Sequence, residues 1–153
     1  MCKTIALLLI SLVLASGQGS KLSDAQRQAI LDYQLTLPRA NQLIAAMEAM
    51  TKYVASLPDF AERMRKAMTQ TPAQRLADFE ADPKAMAIAK QNGLTAKEYL
   101  VGVPALRMAL LAAQGMVGPS IIASPANVAF AKANLAELKP KMDAADSVRP
   151  ARK

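Results

Sequence analysis

Arg107 and Gln114 are the only strongly polar side chains in the apolar stretch at residues 99–117. They stand seven residues apart, which places them about 20° from each other around a helix of ~3.6 residues per turn. They therefore form one polar stripe. Tyr99, Val103, Leu106 and Leu110 flank it on one side and Leu111 on the other. A guanidinium in apolar surroundings can grip a carboxylate with two parallel N–H donors. Arg107, Gln114, Tyr99 and Val103 are accordingly the candidate ligand-binding set, at the mouth of an apolar cavity for a fatty-acid-like molecule. The same stripe also suits a structural role, in which Arg107 pairs with a carboxylate of a neighbouring helix or carries its charged head to water along the bundle edge.

Little other chemistry is available to this chain. It has no histidine and a single cysteine, Cys2. With no histidine, and with Cys2 inside the leader expected to be removed, the usual zinc and haem sites, a Cys–His pair, a Ser–His–Asp triad and a disulfide framework are out of reach of the mature chain. No G-x-S-x-G elbow and no Gly-rich phosphate loop occur, and the carboxylates fall at helix starts and on polar faces rather than as an acid–base pair. A protein that is not an enzyme and holds no cofactor is expected. Asp78, Glu80 and Asp82 alternate like the opening of a calcium loop, but Pro83 and Ala89 stand where that loop needs Gly and Glu. Favourable charge at a helix N-terminus accounts for the acids better. Met47 with Met50, and Met64 with Met68, bring thioethers together at i,i+3 and i,i+4. Such sulfurs suit Cu(I), yet methionine on an apolar stripe is ordinarily core filler, so no metal is expected.

The elements that would carry these residues are read from helix caps. The composition has Phe 3, Tyr 3 and Trp 0 and is 52% hydrophobic. With few β-branched runs, it favours helix over strand. Ser23 with Gln26 forms a capping box that opens a helix over about 24–34. Thr36 with Pro38 opens a second, to about residue 57, with Ala40, Leu43, Ile44, Met47, Met50, Thr51, Val54 and Leu57 on its core face. Pro58 and Asp59 start a short helix to about 68. Thr71-Pro72 and Asp82-Pro83 start two helices, or one broken helix, ending at Gly93. Thr95 and Glu98 make a second capping box, with Leu94 and Tyr99 as its staple, for a central apolar helix over about 96–116. Pro104 is expected to kink it. Arg107 at its centre, at a cost of ~2.5–3.5 kcal/mol on insertion scales, argues against a membrane span. Ser124 and Pro125 open a last helix that Pro140 should stop. The expected fold class is all-α, a single-domain bundle of five or six helices.

At the N-terminus, Lys3, the apolar residues 5–15 and the small residues Ala15, Ser16 and Gly17 have the layout of an export signal, with cleavage expected before Gln18. The expected organisation is a signal peptide at 1–17, a helical domain at 18–139 and a basic tail at 140–153, in a periplasmic or secreted protein. Of the formal net charge of +7, +3 falls after Leu138, where Lys139, Lys141, Arg149, Arg152 and Lys153 face Asp143 and Asp146. Such a tail is a solvated end that can also touch anionic surfaces. Nucleic acid is not an expected partner, because stacking aromatics are scarce.

Leu22-Ser23-x-x-Gln26 resembles the L-T-x-x-Q motif of the Spy/CpxP-type periplasmic chaperones, with Ser for Thr, and Thr71-x-x-Gln74-Arg75 is a second, partial likeness with Gln70 in place of Leu. That resemblance implies an exported all-helical chaperone for unfolding clients. Gly93-Leu94-Thr95, Glu98-Tyr99 and Ser124-Pro125-x-Asn127-Val128-x-Phe130 resemble segments of secreted bacterial all-helical proteins of no assigned activity. The expected function is non-catalytic binding of a partner protein or an apolar small molecule, with a Spy-like chaperone as the alternative.

Overall fold

The computed structural model describes residues 22–147. The expected signal peptide, together with Arg149, Arg152 and Lys153, lies outside the described residues. Within them the chain is all-helical: α1 Asp24–Asp32, α2 Leu37–Ala55, α3 Phe60–Thr69, α4 Pro72–Glu80, α5 Pro83–Gln91, α6 Ala96–Ala113, α7 Pro125–Ala133 and α8 Leu135–Asp146. No described helix is long and apolar enough to cross a membrane.

The caps explain where these helices begin. Ser23, Thr71 and Thr95 each accept a hydrogen bond from the backbone N–H three residues on, and Gln26, Gln74 and Glu98 reach back to complete reciprocal capping boxes. Thr36 and Ser124 accept from Arg39 N and Asn127 N, and Asp82 accepts from Lys84 N and Ala85 N. Each cap satisfies donors that the first helical turn leaves free. Gly93 ends α5 in the left-handed region, at φ 70°, while Leu94 N bonds back to Ala89 O and Gly93 N to Lys90 O. This is a Schellman close.

The apolar stripe of α2 is buried as its periodicity requires: Ala40, Leu43, Ile44, Ala46, Met47, Met50 and Thr51. Helix α6 runs through the middle of the molecule and packs on α1, α2, α4, α5, α7 and α8. Leu43, Met47, Leu106, Met108 and Leu138 are its largest fully buried neighbours and members. Gly102 permits the closest approach in this packing, since a Cβ there would stand 2.7 Å from Tyr33 Oη and 2.8 Å from Leu43 Cδ2.

Three expectations are corrected. The described residues form eight helices rather than five or six, because the chain breaks at Asp82 and again at Asn134. Asn134 leaves the helical region at φ −114°, ψ 11°, and its side chain donates to Phe130 O at 2.8 Å, competing with the next helical turn. The central helix closes at Ala113 with Gln114 as its C-cap, rather than at about residue 116, and Pro104 lies inside it. Pro140 does not stop the last helix but lies inside α8, so residues 140–146 are helical. A helix-interior proline costs about 3 kcal/mol. The α8 turns beyond it bury Met142 and Ala145 against the core, and a buried Met alone contributes about 1.5–3 kcal/mol. With the Asp146 ion pair described next, packing outweighs the lost hydrogen bond.

Candidate functional site

Arg107 projects from the middle of α6 toward the end of α8. Its Nη2 donates to Asp146 Oδ1 at 2.7 Å and lies 3.4 Å from Met47 Sδ. The side chain is only 12% exposed. The guanidinium thus has the carboxylate partner from a neighbouring helix that a structural role demands. Gln114 is not joined to it: its Nε2 donates to Leu110 O at 2.9 Å and finishes α6. Val103 is buried in the core cluster. Tyr99 is buried too, its ring centroid 5.4 Å from that of Phe79, and burial pushes its phenol well above the ordinary range despite the opposing charge of Arg107. Of the four, Tyr99 alone is among the residues lining the cleft described next.

A cleft opens instead on the far side of Tyr99, with a volume of about 850 Å³. Sites for small organic ligands occupy roughly 300–1,000 Å³. Its floor comes from four helices: Met50 and Val54 of α2, Phe79 of α4, Ala85 of α5, and Tyr99 with Leu100 of α6. Its cover is α3. There Phe60, Met64 and Ala67 follow the i, i+4, i+7 spacing that places them along one face, and all three line the cleft.

Helix α3, like α4, buries no residue completely, so apolar contact contributes less to its seat than to that of α2 or α6. Ionic contacts supply the rest. Arg63 bonds Asp59 at 2.8 Å within α3 and approaches Asp82, the cap of α5, at 3.5 Å. Lys66 reaches Asp78 of α4 at 2.6 Å, and Gln70 donates to the same carboxylate. The Asp82 that Arg63 approaches is itself fixed by α2, whose Tyr53 Oη donates to both its oxygens, at 2.9 and 3.0 Å. Exposed pairs of this kind contribute about 0–1 kcal/mol each. With no fully buried residue, the cover rests on few packed apolar contacts.

These contacts set the local acidities. Burial pushes the Asp82 carboxyl up, but the donors Ala85 N, Tyr53 Oη and Lys84 N, with Arg63 nearby, outweigh it and hold the group below its ordinary value. Lys66 and Gln70 hold Asp78 below it as well. Burial, with the hydrogen bond to Asp82, raises the Tyr53 phenol. Asp78 and Asp82 are therefore charged partners in the cleft wall, and Asp82 is the N-cap acid that the sequence pattern indicates.

Arg75 of α4 completes the lining. Its Nη2 donates to Gln70 O at 3.3 Å, while its Nε is buried and has no partner among the described residues. Nothing in sequence periodicity singles out Arg75, which stands in a short helix among exposed neighbours. The sequence marks α3 only as a short helix with Met64 and Met68 at i,i+4, and its position over a cleft depends on residues from four other helices. Compared with protein-family models, with characterised proteins and with solved structures, the chain gives no match.

Proposed function

We propose that this protein is a non-catalytic, exported carrier that takes an apolar small molecule into the cleft beneath α3. One observation carries the reading: a cleft of about 850 Å³ has an apolar floor and is covered by a helix held in place largely by exposed ion pairs. A cover of that kind lets a ligand enter without disturbing the α2–α6–α8 core. The floor residues Met50, Phe79, Tyr99 and Leu100 supply methyl, thioether and aromatic surface for an aliphatic or aromatic body. Export to the periplasm or medium is part of the proposal and rests on the sequence pattern of residues 1–17. The Spy-like alternative asks for an open cationic concave face, whereas the cations of this cleft are mostly matched to Asp59, Asp78 and Asp82.

Titration with N-phenyl-1-naphthylamine, a neutral dye whose emission rises in apolar surroundings, tests the assignment. Saturable binding in the micromolar range is expected, together with its loss in Ala67→Phe, which fills the cleft from the cover side. Circular dichroism should show that variant to be fully helical. Absence of dye binding in the wild type, or equal binding in a folded Ala67→Phe, overturns it.

A further inference from the structure

Arg75 gives the cleft a polar end of one sign. Its stem rises from α4 into the wall beside Phe79, and the guanidinium is half-buried. The Nε is shielded from solvent and unpartnered among the described residues, and a single backbone carbonyl, Gln70 O, serves Nη2. No carboxylate among the described residues forms an ion pair with it. The acids that share the cleft are otherwise engaged: Asp59 and Asp82 with Arg63, and Asp78 with Lys66. Glu62 also borders the cleft but is exposed, so water screens its charge. A guanidinium withdrawn from water without a counter-charge is unfavourable unless something supplies the missing acceptor. Burial without a compensating charge also lowers the pKa of Arg75, with desolvation the one cause acting on it.

We infer that the ligand is an amphiphile with a single anionic head, a carboxylate, which Arg75, a lining residue of the cleft, holds through its free Nη donors. Its apolar body lies along Met50, Val54, Phe79 and Leu100 under α3. This inference rests on the reading of the cleft as an apolar-ligand site and adds the chemical class of the ligand. Arginine suits the task because the planar fork matches a carboxylate with two parallel donors and stays charged when partly desolvated. The head-group role first assigned to Arg107 passes to a cation that has no protein carboxylate of its own.

The test compares dodecanoate with dodecanol, equal in chain length, as displacers of N-phenyl-1-naphthylamine from the intact protein below their aggregation limits. Dodecanoate is expected to bind about ten-fold more tightly than dodecanol, an increment of roughly 1.4 kcal/mol. Arg75→Met, which keeps the stem, should bring the two within about two-fold, a difference of under ~0.5 kcal/mol. Arg65→Met, on the exposed face of α3 and outside the cleft lining, should leave the preference intact and so separates a local grip from the general attraction of a cationic protein. If dodecanol displaces the dye as well as dodecanoate does in the wild type, the anionic head is wrong while the apolar cleft stands. If neither displaces it, the cleft reading fails and the inference with it. A preference that survives in folded Arg75→Met overturns the role of Arg75. Should Arg75→Met not fold, Arg75→Lys, which keeps the charge but lacks the planar fork, must weaken the preference or the assignment is overturned.

Discussion

Arg107 Nη2 donates to Asp146 Oδ1 at 2.7 Å, tying the middle of α6 to the last residue of α8. The pair closes the bundle at the end of the described chain. It holds in place the helical turns that follow Pro140, including Met142 and Ala145. Because Arg107 is 12% exposed and Asp146 34%, the contact is stronger than a surface pair yet still reaches solvent on the acid side.

The first prediction concerns that pair. Asp146→Asn and Arg107→Met should each lower stability by about 1.5–3 kcal/mol, the range for a hydrogen bond to a charged group. The double variant should lose less than the sum, since the second change removes a charge already left alone. Urea unfolding followed by circular dichroism measures all three. Dye binding in the cleft should be unchanged in folded Asp146→Asn, and a loss there would mean that Arg107 reaches the ligand after all.

Asn127 carries a second prediction. It is 3% exposed; its Oδ1 accepts from Leu35 N at 3.1 Å and its Nδ2 donates to Tyr33 O at 2.6 Å. One side chain of α7 thus satisfies one backbone donor and one backbone acceptor of the α1–α2 link. Asn127→Leu should cost about 1–3 kcal/mol, because it leaves the buried donor Leu35 N and the part-buried acceptor Tyr33 O unpaired. A denaturant midpoint equal to that of the wild type would show that the link finds other partners.

Gly102 and Tyr33 give a third. Replacing a helix-interior glycine with alanine ordinarily gains about 1 kcal/mol. Here the new Cβ would lie 2.7 Å from Tyr33 Oη and 2.8 Å from Leu43 Cδ2, and overpacking of this kind costs about 1–3 kcal/mol. Gly102→Ala should therefore be neutral to destabilising. Tyr33 Oη is itself buried and unpartnered among the described residues, so Tyr33→Phe should hold or raise the melting temperature and soften the effect of Gly102→Ala. If the two substitutions act independently in thermal melts, the close approach at Gly102 is not what decides the outcome.

The fourth concerns pH. Asp78 and Asp82 have folded pKa values below the ordinary 3.8, so their protons bind more tightly to the unfolded than to the folded chain. Their contribution is fully present above that value and is lost as pH falls through the folded values. Acidification below 3.8 should loosen α3 before it melts the α2–α6–α8 core. At neutral pH, Asp82→Asn should reproduce part of this, with faster hydrogen exchange across Phe60–Thr69 and little change in α6. Uniform acceleration over every helix would contradict a separately held cover.

The helix starts could be read from the chain because a cap is a local contract between residues three apart. Ser23, Thr36, Thr71, Asp82, Thr95 and Ser124 each needed only their own following backbone N–H. The buried face of α2 was legible for a similar reason, since the 3.6-residue period repeats along one element. The central placement of α6 followed from its lack of polar faces. Local signals were weaker where two rules competed. Pro140 should end a helix by its missing N–H, but Met142, Ala145 and Asp146 pack on other helices and keep it going. Asn134 interrupts a stretch whose propensities alone would continue.

Tertiary structure alone decided the partners and the cleft. Arg107 and Gln114 share a helix face by spacing, yet Arg107 meets a carboxylate 39 residues away and Gln114 turns back to its own helix end. The cleft is assembled from α2, α3, α4, α5 and α6, and the isolation of Arg75 is a statement about which carboxylates are spoken for elsewhere. Periodicity reports which face of a helix is apolar. It does not report which other face arrives against it, because that depends on the three-dimensional sum of side-chain volumes and charges contributed by distant parts of the chain.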